Sequence, residues 1–195
     1  MGKEDRGNVA AALKEQIALL SLLVLFAGFV STDTYYAGFG LRYQTLDLPV
    51  DHLMYRGVTA LFHSGLLSAT YVLVVAWLAA GAPLLAERGR FSEINVRAIS
   101  YAIVALSVAV AYEAGVVEGR KAAVQDRTDT TSQLPIVQSL QGSGIASGGY
   151  EGWRVLIASK DQIVLFQAVS LASQTQIPFT HLIPADKVHE LVIRR

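Results

Sequence analysis

Three long stretches of the chain are almost wholly apolar, at about Gln16–Ala37, Gly57–Ala80 and Ala98–Val117, and none has a lysine or arginine in its middle. A bilayer hydrocarbon core about 30 Å thick needs roughly 20 helical residues to cross it. Each stretch meets that length, and only a helix satisfies its own backbone at that depth. The pattern therefore predicts three transmembrane helices within residues 1–120. Beyond them, "EGRKAAVQDRTDTTSQ" (118–133) is charged and polar, and reads as a helix exit followed by a linker over 121–133.

From residue 134 to 195 the apolar runs become short. "LPIVQSL" (134–140), "WRVLIAS" (153–159), "QIVLFQAVS" (162–170), "PFTHLI" (178–183) and "VHELVIRR" (188–195) are rich in β-branched and aromatic residues, with turn signals between them. "SKDQ" marks a tight polar turn, and "IPADK" one helical turn before the last strand. The expectation is an α+β membrane protein: three transmembrane helices followed by a small antiparallel β-domain, an SH3-like or OB-like barrel, with an open antiparallel sheet as the alternative.

Composition sharpens this picture. The 195 residues are 52% hydrophobic and 16% charged, with a mean hydropathy of +0.40, too apolar for a soluble domain of this size. Sixteen basic residues balance sixteen acidic ones, which argues against a nucleic-acid partner. With no cysteine there is no disulfide framework and no thiolate chemistry. Lys3, Arg6, Lys14, Arg88, Arg90 and Arg97 lie on one side of the expected spans, against Arg42, Arg56, Arg120, Lys121 and Arg127 on the other. The excess of positive residues places the N-terminus in the cytoplasm and the C-terminal domain outside.

Candidate chemistry is sparse. Asp33 and Glu113 stand near span ends, and Asp51, His52 and Arg56 open the second helix. Together they form the candidate polar cluster, although acids within reach of headgroups and water are commonly structural. No G-x-S-x-G or H-E-x-x-H occurs, and "GSGIASGG" lacks the Lys-Ser/Thr of a phosphate loop. No catalytic, metal or cofactor residue is assigned. Small residues recur at four-residue spacing, Ser64 with Ser68 and Ser107 with Ala111 and Gly115, where helix backbones can approach closely.

The connection after the first stretch is unusually aromatic. Tyr35, Tyr36, Phe39 and Tyr43 recur every three to four residues and are expected to anchor the helix end at the membrane–water interface. Gly38 and Gly40 end the helix, while Pro49 and Asp51 suit the first turn of the next. "YYAGFGLRYQTLDLPVDHLMYRG", with the β-rich tail, resembles a hook in uncharacterised bacterial multi-pass inner-membrane proteins of the form Tyr-Tyr-x-x-Phe-Gly, spacer, Leu-Asp-Leu. That resemblance implies a bacterial inner-membrane location and carries no reaction or catalytic residue. The expected function is a non-enzymatic, membrane-anchored module that presents its β-domain to a protein partner or to further copies of itself. The alternatives are an oligomeric transporter or channel component, and an interfacial lipid-active enzyme using Asp33, Asp47, Asp51 or His52.

Overall fold

The computed structural model describes residues 3–46, 48–63, 93–128, 130–144, 149–170 and 176–194. The chain divides into two compact units. A helical unit contains Met1–Thr34 and Asp47–Gly119, and a sheet unit contains Tyr35–Leu46 and Arg120–Arg195.

The helical unit is built on α1 (Lys3–Ala37), α2 (Val50–His63) and α3 (Glu93–Arg127). Among the described residues two helices are long and apolar enough to cross a membrane, over Ile17–Ala37 and Tyr101–Arg127. Most of the expected second span, with Ser64 and Ser68, lies outside the described residues, as does Asp47. Helix α3 continues to Arg127, through a stretch whose polarity predicted a linker. Arg, Lys, Ala, Gln and Glu are good helix formers whether or not they are apolar, so polarity alone does not end a helix. At 1.5 Å per residue α3 is about 52 Å long.

Glycines bring helix backbones into contact in this unit. A Cβ on Gly28 would overlap the carbonyl oxygen of Leu53, and one on Gly57 would overlap that of Val24. Positions 28 and 24 thus meet 53 and 57 in opposite order, so α1 and α2 run antiparallel with their backbones touching. A Cβ on Gly115 would lie 2.7 Å from the Ala27 carbonyl oxygen, and one on Gly119 would collide with that of Ser31. Here both numbers rise together, so α1 and α3 pack in parallel. Leu23, Val24 and Ala27 of α1, Leu61 of α2, and Ala111 and Ala114 of α3 form the buried core, with Leu19, Phe26 and Met54 around it.

Among the described residues of the sheet unit five antiparallel strands, β1 (Ile136–Gly142), β2 (Arg154–Ala158), β3 (Gln162–Phe166), β4 (Thr180–Pro184) and β5 (Val188–Arg194), lie in the order β4-β3-β2-β1-β5. The five expected runs each supply one strand, and "IPADK" supplies a 3-10 turn at Ala185–Lys187. The tight turn between β2 and β3 is held by Ser159, whose hydroxyl accepts from the Gln162 amide at 3.1 Å. Val137, Leu140, Val155, Ile163, Leu165 and Ile183 form the core on one face. Val164 and Phe166 point to the other face and are also buried. A strand covered on both sides loses the apolar–polar alternation, which is why "IVLF" reads as an unbroken apolar run.

The aromatic connection belongs to this unit and packs on that second face. The Phe39 ring meets Phe166 edge-on at 4.9 Å and is 1% exposed. Its carbonyl accepts a hydrogen bond from the Thr180 hydroxyl at 2.8 Å, and the Gln162 amide side chain donates to the Thr45 carbonyl at 3.0 Å. Helix α1 ends in a Schellman motif: Gly40 takes φ +74°, its amide bonds Ala37, and the Leu41 amide bonds Tyr36. Tyr35, Tyr36 and Phe39 are buried, which corrects the expectation that these rings stand as anchors at a lipid surface; Tyr43 is half-buried. Their periodicity suits either role, and the Phe166 face across the fold supplied a better-packed place than the headgroup layer.

Candidate functional site

The residues of the expected polar cluster all fall in the helical unit, in different settings. Asp51 and Glu113 are exposed, while Asp33, His52 and Arg56 are half-buried. Asp51, His52 and Arg56 are neighbours along the first turns of α2. Burial lowers the pKa of His52, the Arg56 charge lowers it further, and Asp51 partly opposes them. The His52 Nε2 atom is buried without a hydrogen-bond partner among the described residues. No group of three or more His, Asp or Glu side chains there has the arrangement of a metal site.

Of the small residues on α3, Gly115 meets Ala27 and Val30 of α1, Ala111 lies in the buried cluster with Leu23, Val24 and Ala27, and Ser107 is buried with its hydroxyl bonded to the Ile103 carbonyl. Gly119 extends the four-residue spacing by one step, which sequence reasoning missed because it assigned that position to the helix exit. Ser31 and Thr32 of α1 were missed as well. Both are fully buried, and their hydroxyls have no partner among the described residues. The only sequence signal was two polar residues inside an apolar run.

A different constellation lies in the sheet unit. The turn Gly149–Gly152 carries Tyr150 to a position beside Trp153, whose amide bonds the Tyr150 carbonyl at 3.1 Å. The two rings meet at 76° with centroids 5.2 Å apart. Tyr150 also stacks on His181 at 5.4 Å and 26°, with its hydroxyl hydrogen-bonded to His181 Nδ1. Register explains the meeting: His181 pairs with Leu165 on β3, which pairs with Val155 on β2, two residues beyond Trp153. These rings, with Phe179, Thr180, Gly144 and Gly149, line a groove of about 500 Å³. Phe179 is 80% exposed.

Chemically the groove offers flat apolar walls and one hydrogen-bonded His–Tyr pair. Such walls suit an apolar or planar group better than a charged one. A Ser–His pair also occurs, with Ser143 Oγ 3.0 Å from His189 Nε2. Both of its side chains are exposed, whereas nucleophilic catalysis requires an oriented base and a preorganised oxyanion site. Compared with family models, with curated proteins and with solved structures, the chain finds no match.

Proposed function

We propose that the protein is a membrane-anchored binding module, in which three transmembrane helices hold the sheet unit at the outer face of a bacterial inner membrane to engage a protein partner. The observation that carries this reading is the incomplete cover on the apolar helices. Only 39% of the most apolar window of α1 and 28% of that of α3 is buried in the fold. Ile17, Leu22, Leu106 and Val117 remain exposed, and neither helix confines its apolar residues to one stripe. A helix apolar all round belongs in lipid or in a large core.

The parallel packing of α1 on α3 supports three crossings. Two parallel spans need one return crossing between them, and α2, antiparallel to α1, heads in that direction. The strand order with a 3-10 turn between β4 and β5 supports an SH3-like barrel for the sheet unit. Large apolar side chains left exposed there, Ile177, Phe179, Leu182, Val192 and Ile193, are the kind of surface that marks a protein interface. Two measurements test the reading. The chain should stay in the membrane pellet after alkaline carbonate, and a periplasm-active reporter enzyme at residue 195 should be active. Release by carbonate sinks the anchor, and an inactive reporter sinks the orientation.

A second reading, an oligomeric channel component, draws on Ser31, Thr32 and His52 Nε2, three buried polar positions in the helical unit without partners among the described residues. Buried hydroxyls in lipid find partners in neighbouring helices or in water. Ion flux in liposomes containing only this protein would favour that reading, and tight liposomes would dismiss it.

A further inference from the structure

The two edges of the sheet are not alike. Strand β4 is short and bracketed by Pro178 and Pro184, and proline carries no amide hydrogen to offer an incoming strand. Strand β5 is seven residues long and contains no proline. It is the last strand in the sheet order, so among the described residues only β1 pairs with it. Natural sheets protect such an edge with prolines, charges, bulges or a covering element. Strand β5 has a bulge at its start and charges at Glu190 and Arg194, yet between those charges it leaves Val192 36% and Ile193 43% exposed, one on each face.

Its regular portion is well defined. Gln141 pairs with Glu190 and Gly142 with Val188, so His189 is the extra residue of a bulge. From Glu190 to Arg194 the strand runs on without an extra residue of its own. A two-fold axis that pairs this segment with itself must match residues on the same face, so the register is centred on a residue. Centred on Glu190 or Arg194, like charges stand opposite each other. Centred on Leu191 or Ile193, a charged residue faces Val192. Only a centre at Val192 sets Glu190 opposite Arg194, twice by symmetry, with Leu191 opposite Ile193.

We propose that β5 is a self-association edge, pairing antiparallel with β5 of a second copy with Val192 opposite Val192. This rests on the reading of the sheet unit as the part that binds protein, and it names that partner. Leu191 already packs against the core of the sheet unit. Placing the partner's Ile193 opposite it continues that apolar face across the two-fold. On the other face the paired valines are flanked by two opposite-charge pairs, each the kind of cross-strand contact that stabilises antiparallel sheets.

Because the chain has no cysteine, a single Val192→Cys supplies the only thiol. Directly opposed residues in an antiparallel pair have Cα atoms about 4.5–5.5 Å apart, within disulfide reach. In the proposed register Glu190 lies four positions, about 13 Å, from its own copy. Mild oxidation of the full-length protein in membranes should cross-link Val192→Cys at least about tenfold faster than Glu190→Cys or Leu182→Cys on β4. Glu190→Arg should weaken the dimer in nanodiscs about tenfold, and Glu190→Arg with Arg194→Glu should restore it. That rescue separates lost pairing from misfolding. Cross-linking at Val192 no faster than at Glu190, or no rescue by the charge exchange, overturns the proposal. If in that case the wild-type chain still retains another protein in mild detergent, the binding reading stands; a monomer with no partner removes both.

Discussion

In the helical unit backbones meet where side chains are missing, whereas the sheet unit buries large ones. Gly28, Gly57, Gly115 and Gly119 let backbone meet backbone; Phe39, Phe166 and Leu165 fill the sheet unit. On the proposed function different surroundings call for different solutions. Lipid around the helices would provide no hydrophobic drive between them, so close van der Waals packing would supply the attraction, and small residues permit it. A sheet facing water gains most from apolar area removed, so large rings and branched chains serve it better. The difference also shows what each unit tolerates: the first fails on added atoms, the second on lost ones.

The strongest way to break this comparison is to shrink the sheet unit and enlarge the helical one. Phe39→Ala should cost about 3–5 kcal/mol, because it removes a fully buried ring and leaves a cavity beside Phe166. Protease protection of the C-terminal unit measures it, and a stability within about 1 kcal/mol of wild type would remove the ring from the core. Gly57→Ala should cost on the order of 3 kcal/mol, since the added methyl meets the Val24 carbonyl and cannot be accommodated by a side-chain rotation. Thermal unfolding in detergent reads this loss, and an unchanged midpoint would mean that α1 and α2 do not touch there.

Smaller changes sharpen the contrast. Ala111→Leu should cost about 1–3 kcal/mol by overpacking the seam against α1. Leucine at the exposed neighbour Tyr112 should be almost neutral, and equal effects at the two positions would dissolve the seam. Tyr35→Phe should cost about 1 kcal/mol, because the Tyr35 hydroxyl donates to Asp126 at 2.8 Å; a thermal melt of the variant checks this.

The smallest effect is in pH. His52, outside the candidate spans, has a pKa held below its ordinary 6.5 by burial and Arg56. The unfolded chain therefore takes up the proton first, and stability is lost as the pH falls below about 6.5. The thermal midpoint should drop between pH 7.5 and 5.5, and His52→Gln should flatten that slope. A slope unchanged by the substitution would assign the pH dependence elsewhere.

Much of the architecture was legible because it is local. Apolar length announced α1 and α3, β-branched runs between turn signals announced five strands, and "ADK" announced the 3-10 turn. The spacing of Ser107, Ala111 and Gly115 was also readable, since four residues bring side chains round to one helix face. Gly28 and Gly57 were not readable as a pair, because nothing along the chain says which glycine meets which carbonyl. The ring groove stayed hidden for the same reason. Tyr150 and His181 are brought together by the register of β2, β3 and β4, and no window of the sequence contains that register.

The sequence by itself determined the five strands and the apolar lengths of α1 and α3, which have the length and hydropathy of membrane spans, and where α1 stops. Those outcomes follow from periodicity, apolar length and a left-handed glycine, which act within a few residues. Only the tertiary structure decided what "YYAGFG" is for. Its rings suit a headgroup layer as well as a protein core, and the choice fell to Phe166 and Thr180, more than a hundred residues away. The Phe166 face of β3 is apolar and needed cover, and Phe39 supplies it.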